Sequence, residues 1–292
     1  MNSRQKVLAT LQGSVLDPPA KGEIWVFPRV LESQGFPNNY MGLCKFALKI
    51  GFDFCFFSCG GPQPLACEKN ILENAVKLAK TENLACGAVV DGPWQRKVQK
   101  EGLWPSLKEI SLDPSTFEKK INAEAIFVEK ELSAWIEAGA DLILLTDDLA
   151  YTKGPYFSPQ LFQQVLLPLY KGFLQSSAQG KVPLGFHADG DVSLIMPFLV
   201  SSGFKFFSLE PEAIDLLDVW QKYGKKTTIV SGIYAAWLTD SRLVVKEPRR
   251  QEKLADHINK GSLILASACG LYEPSSVELL SRLYTLSCNV SS

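Results

Sequence analysis

His187 and Cys269, with the carboxylates of Asp91, Asp147, Asp148, Asp189 and Glu210, are the side chains of this sequence best suited to chemistry. An imidazole, a thiolate and one or two carboxylates offer the nitrogen, sulfur and oxygen donors that zinc accepts, and they leave a position open for substrate or water. Each also has a plainer use. An aspartate that follows a strand caps helices or forms turns, and a cysteine in an apolar stretch packs as a small core residue. Aromatic residues able to line a flat apolar pocket accompany the set: Trp94, Tyr151, Tyr156, Tyr234 and Trp237. The other histidine, His257, falls in EKLADHINKG near the end of a predicted helix, where a cation is favourable and no catalytic role is needed. The candidates run from Asp91 to Cys269, so no short ligand-spacing rule relates them and only a fold can gather them.

Short apolar and β-branched runs bounded by turn residues predict eight strands, near 24–27, 53–57, 85–90, 141–146, 182–187, 204–209, 227–231 and 262–267. Helical patterns lie between them. Asp113-Pro114 opens a long helix that closes at Gly139, Ser158-Pro159 opens another, and Glu273-Pro274 opens the last. The segment 91–113 reads as a loop insertion after the third strand. Near-continuously apolar strands alternating with helices are parallel strands covered by helices, and eight such units predict a single (β/α)8 TIM barrel over residues 1–292, with an open doubly wound sheet as the alternative. In such a barrel the residues just after each strand face the active-site mouth. Asp91 follows the third strand, Asp147-Asp148 the fourth, His187 and Asp189 the fifth, Glu210 the sixth and Cys269 the eighth. Their convergence on one mouth is the functional signal.

Composition narrows the class of partner. No apolar run approaches the roughly 20 residues that span a bilayer, and Met1 to Leu16 lacks the apolar region of a secretory signal. The net charge of −1, with Arg249-Arg250 the only paired arginines, gives no electrostatic footprint for nucleic acid. Seven cysteines with no CxxC pair form no disulfide framework, and Cys55 and Cys86 sit inside apolar runs. These features predict a cytoplasmic protein that acts on small molecules, with no nucleic-acid or membrane partner.

Three stretches, EAGADLILLTDDLAYTKGPYFSPQLFQQVLLPLY, VPLGFHADGDVSLIMPFLVSSGFKFFSLEPE and SACGLYEPSSVELL, together resemble the uroporphyrinogen decarboxylase superfamily, which includes the cobamide-dependent methyltransferases. VVDGPW, ending at Trp94, is a fainter match to the superfamily's glycine-proline-aromatic turn. The resemblance implies a (β/α)8 barrel. The decarboxylase branch binds the carboxylates of a tetrapyrrole through an arginine-rich N-terminal motif, a task suited to guanidinium groups; here IWVFPRVLESQGF offers Arg29 alone. The methyltransferase branch holds zinc through a His-x-Cys pair after strand five and a cysteine after strand eight, where this chain has His187-Ala188-Asp189 and Cys269.

What the resemblance implies is therefore methyl transfer between a small methylated substrate and a corrinoid protein that carries cobalamin. Zinc would be held by His187, Cys269 and Asp189 or Glu210. Asp147 or Asp148 would position the substrate or deliver a proton, and Arg29, Asp91, Trp94, Tyr151 and Tyr234 would contact it. Aspartate in place of cysteine exchanges soft sulfur for hard oxygen and makes the metal a stronger Lewis acid, which suits an oxygen or nitrogen leaving group. A methoxylated aromatic compound fits the aromatic rim, with a methylamine or a folate as competitors. The alternatives are a decarboxylase-like lyase and a non-catalytic barrel that binds a corrinoid or aromatic ligand.

Overall fold

The computed structural model describes residues 1–60, 65, 68–224, 226–240, 242–260 and 262–289. Eight strands form one all-parallel sheet: β1 (Ala20–Lys21), β2 (Phe54–Ser58), β3 (Ala85–Asp91), β4 (Leu142–Thr146), β5 (Leu184–Ala188), β6 (Phe206–Leu209), β7 (Thr228–Ile233) and β8 (Leu263–Ser267). The order around the sheet is β1-β8-β7-β6-β5-β4-β3-β2. Between β1 and β2 the Asp53 amide donates to the Lys21 carbonyl at 2.7 Å, which brings the two ends of the sheet together at the amino end of the strands. The result is a nearly closed (β/α)8 barrel, as the strand count predicted.

Strand alternation sorts the apolar residues into two clusters. Phe54, Phe56, Ala85, Val89, Leu142, Leu144, Phe206, Val230 and Ile264 fill the barrel. Their chain neighbours, among them Cys55, Cys86, Ile143, Leu145, Phe186, Phe207 and Leu265, pack outward against the helices. The helix Ser3–Leu11 stops the amino end of the barrel with Val7 in the interior cluster, and it is fixed by an Asn2–Gln5 capping box. The long helix runs Pro114–Ala138, capped by the Asp113 side chain and ended by left-handed Gly139, as its punctuation predicted.

Two predicted elements differ. The first strand is found at 20–21 rather than 24–27, where Val26 makes only an isolated bridge to Leu271. Glu23 interrupts the ladder: it is buried and accepts hydrogen bonds from the Ser267 amide (3.1 Å), the Ser267 hydroxyl (2.5 Å) and the Tyr284 hydroxyl (3.2 Å). The segment 91–113 is not a loop but two helices, Pro93–Glu101 and Leu103–Leu112, separated at left-handed Gly102. The first of them is capped from a distance, because the Asp147 carboxylate accepts from the Gln95 amide at 2.6 Å. The last helix starts at Ser276, just beyond the predicted Glu273-Pro274 opening. No helix among the described residues is long and apolar enough to cross a membrane.

Candidate active site

The same alternation decides which polar residues reach the mouth. On β4 the inward row Leu142, Leu144, Thr146 continues to Asp148; the inward row of β5 passes through His187 to Asp189, and that of β6 runs from Phe206 through Ser208 to Glu210. Asp91, Thr146, Asp148, His187, Asp189, Glu210 and Cys269 line one cavity of about 540 Å3 at the carboxyl ends of the strands, with Trp25, Phe27 and Tyr272 as its aromatic members.

His187 is buried and held on both sides. Its Nδ1 lies 3.0 Å from the Ser208 hydroxyl, and its Nε2 is 3.3 Å from an Asp189 carboxylate oxygen. Trp25 stands edge-on to the imidazole, with ring centroids 4.7 Å apart. The Asp189 amide donates to Asp148 Oδ1 at 3.1 Å, so the turn after β5 is tied to the end of β4. Gly190 completes that turn at φ +82, and a Cβ there would fall 2.7 Å from the Tyr151 backbone, so only glycine fits. One donor atom each from Asp148, His187 and Asp189 lies within 4.8 Å of the others. Asp91 is steadied by the Thr146 hydroxyl and the Gln99 amide, each at 3.0 Å. Glu210 accepts from the Gly190 amide at 2.9 Å and faces the Cys269 thiol at 3.8 Å.

These groups perturb one another. Burial raises the Asp148 pKa, and the negative charge of Asp189 adds to the rise against the opposing pull of His187. Burial also raises Glu210, and it pushes the Cys269 thiol up to about 12 with help from the charge of Glu210. For His187, burial works downward but is outweighed by the hydrogen bond to Asp189 and by the surrounding carboxylates, so its pKa is raised. The cavity lining carries five carboxylates, Asp91, Asp148, Asp189, Glu210 and Glu273, and no lysine or arginine among the described residues. Such an imbalance favours a cation.

The structure redistributes the predicted site residues. Asp147 points away from the mouth, fully buried, and accepts from the Tyr170 hydroxyl (2.6 Å) and from the Gln95 and Trp94 amides; it is the cap of the helix Pro93–Glu101. Trp94 is likewise buried, packed on Phe157, with its indole N–H donating to the Asp148 carbonyl at 2.9 Å, so it supports the site from behind. Arg29 lies outside the cavity, paired with Glu273 at 2.7 Å and bonded to the Tyr272 carbonyl. Tyr151 sits on a short hairpin after β4, stacked on Tyr156 and outside the cavity lining. Tyr234 lines a different cavity, and Trp237 is buried against it. Of the predicted metal set, His187 and Asp189 are joined by Asp148, whereas Glu210 and Cys269 pair with each other across the same cavity. His257 is no solvated cation: it is buried beside Trp220, and burial pushes its pKa down to about 4.

Trp25, Phe27, Tyr272 and Ser208 are site residues that the sequence reading missed. Strand parity is the signal for Ser208, which precedes Glu210 on the inward row of β6. Trp25, Phe27 and Tyr272 lie in irregular chain, where no periodicity points to the mouth.

The triad fits a divalent metal ion. It offers one imidazole nitrogen and two carboxylates on one side of an open cavity, with the ring orientation set by Ser208, and a divalent ion there would offset the charge of the two aspartates.

A model of the uroporphyrinogen decarboxylase (URO-D) family matches residues 71–286 of the chain. No curated protein matches it in sequence. Among solved structures it is similar to a methyltransferase from Methanosarcina mazei, with a TM-score of 0.71 and 17% identity over 98% of this chain and 99% of that one. It is also similar to the 3-keto-D-glucoside 4-epimerase YcjR from E. coli, with a TM-score of 0.55 and 12% identity over 86% of this chain and 95% of that one. D-Psicose 3-epimerase from Clostridium cellulolyticum H10 follows, with a TM-score of 0.51 and 11% identity over 86% and 92%. At such identities the likeness is one of fold.

Proposed function

The chain belongs to the uroporphyrinogen decarboxylase family, and within it we propose a cytoplasmic methyltransferase that moves a methyl group between a small methylated substrate and the cobalamin of a corrinoid protein. The observation that carries this reading is the Asp148, His187, Asp189 cluster at the mouth of the barrel. The full-length likeness to the Methanosarcina mazei methyltransferase supports it.

Zinc would be held by His187, Asp189 and Asp148, and when bound it supplies Lewis acidity to the heteroatom that parts with the methyl group. The remaining work belongs to the chain. Trp25, Phe27 and Tyr272 give an apolar wall against which a methoxylated ring or a methylammonium group can lie. Asp91, fixed by Thr146 and Gln99, is placed to orient a polar substituent. The heteroatom left behind needs a proton, and Glu210 holds one more readily than an ordinary glutamate because burial and then the charge of Asp189 raise its pKa. The Ser208 hydroxyl keeps the His187 ring turned with Nε2 toward the two aspartates.

A decarboxylase acting on a polycarboxylate fares worse. Such a substrate needs guanidinium partners, yet the lining is acidic and Arg29 is already matched by Glu273. The test is anaerobic incubation of zinc-loaded protein with cob(I)alamin and, in turn, a methoxybenzoate and trimethylamine. The cobalamin absorption spectrum should change with one of them, and the rate should fall about 100-fold or more in His187→Ala. An unchanged spectrum with every methyl donor would contradict the reading.

A further inference from the structure

The paired arginines Arg249-Arg250, which the mouth does not use, stand in the first turn of the helix Pro248–Lys260, where no acidic residue is present. That placement opposes the helix dipole, whose positive end favours carboxylates. Glu247, just before the helix, answers Arg250, and Arg249 is left, among the described residues, as the arginine of that turn without a carboxylate. Both arginines line a cavity of about 410 Å3 between this helix and the segment Pro211–Leu217 that follows β6. The volume is in the range of small-molecule sites.

Ile214, Leu217 and Leu254 give this cavity an apolar wall, and the Arg250 guanidinium lies over the Tyr234 ring at 4.3 Å. His257 also lines it. This imidazole is only 2% exposed, and its Nε2 has no hydrogen-bond partner. Buried polar atoms are almost always satisfied, so an orphan on a residue that lines a cavity points to a partner supplied from that cavity. The two carboxylates of the lining have partners: Glu212 accepts from the Ala235 amide at 2.6 Å, and Asp215 caps the helix Leu216–Tyr223 and pairs with Lys253, also of the lining, at 2.5 Å. Arg250 is matched by Glu247 at 2.7 Å, outside the lining. Arg249 makes no ion pair among the described residues, which leaves its guanidinium available to an anion.

We propose that this cavity is a second binding site, separate from the barrel mouth, for a small phosphate monoester. The phosphoryl group lies between Arg249 and Arg250 at the positive end of the helix, the organic part rests on Ile214, Leu217 and Leu254, and a polar atom meets His257 Nε2. Two guanidinium groups beside a helix N-terminus suit a dianion with three acceptor oxygens better than a carboxylate, which one guanidinium satisfies. The site is independent of methyl transfer, since it shares no residue with the triad.

Because the chain has only two histidines, proton NMR reports this site directly. Phenyl phosphate should move the His257 Cε1–H resonance saturably and leave that of His187 in place, with the two signals distinguished in His187→Gln. Arg249→Ala and Arg250→Ala, both at solvent-accessible positions, should each weaken the apparent affinity about tenfold. Phenol, and sodium chloride at equal ionic strength, should move neither signal. The proposal is overturned if phenyl phosphate gives no saturable movement, if phenol or benzoate binds as tightly, or if both arginine variants bind phenyl phosphate like the wild type.

Discussion

Asp141 and Asp148 stand at opposite ends of β4 and meet opposite environments. At the amino end, buried Asp141 accepts two bonds from the Arg4 guanidinium (3.0 and 2.8 Å) and one from the Cys86 amide (3.0 Å), with Lys80 Nζ at 3.4 Å. At the carboxyl end, Asp148 has His187 as its nearby positive group and Asp189 and Asp91 as nearby negative ones. At the amino end the chain supplies cations to its buried aspartate; the carboxyl end gathers carboxylates with no lysine or arginine in the cavity lining among the described residues. The contrast follows the division of labour between the two faces of this fold, stability at the amino end and ligand contacts at the carboxyl end.

Removing the compensated carboxylate should have the largest effect. Asp141→Ala leaves Arg4 and Lys80 without their partner and should lower the stability measured by urea denaturation by about 3 kcal/mol. Asp148→Asn, at the other end of the strand, relieves like-charge repulsion and should stay within about 1 kcal/mol of the wild type. Equal losses in the two variants would erase the contrast.

Glu23 represents a third environment, in which hydrogen bonds rather than cations surround a carboxyl. Burial raises its pKa to about 8. The folded state therefore keeps a proton that the unfolded chain releases near pH 4.5, so stability from this group is full below that pH and is lost as the pH rises toward 8. Glu23→Gln should flatten the fall in stability between pH 5 and pH 8 by on the order of 2–4 kcal/mol, read from denaturation curves at each pH. An unchanged slope would show that Glu23 is not the titrating group. At the mouth a smaller change is expected from Ser208→Ala, which frees the His187 ring. It should weaken zinc binding about tenfold in calorimetric titrations while leaving the fold intact.

Much of the fold is legible in the sequence. Seven strands fall within two residues of their predicted positions, because a buried parallel strand is a short apolar run between turn residues and needs no remote partner to be recognised. What stayed hidden depends on distant contacts. The helix Pro93–Glu101 reads as a loop since its cap, Asp147, comes from another strand. Asp147 and Asp148 are interchangeable by residue type, although the alternation Leu142, Leu144, Thr146 assigns the inward position to Asp148. For Arg29 and His257 the sequence offers residue type alone, and neither the partner Glu273 nor the burial beside Trp220 is written near them in the chain.

The neighbours Asp147 and Asp148 provide a direct test of whether the mouth carboxylates and His187 form a divalent metal site. Zinc content and affinity should be measured for the wild type, Asp147→Asn, Asp148→Asn, His187→Ala and Cys269→Ala. About one zinc per chain is expected in the wild type, retained in Asp147→Asn and Cys269→Ala, with affinity reduced about 100-fold or more in Asp148→Asn and His187→Ala. A wild-type protein that binds no zinc, or equal binding in Asp147→Asn and Asp148→Asn, would contradict this metal site.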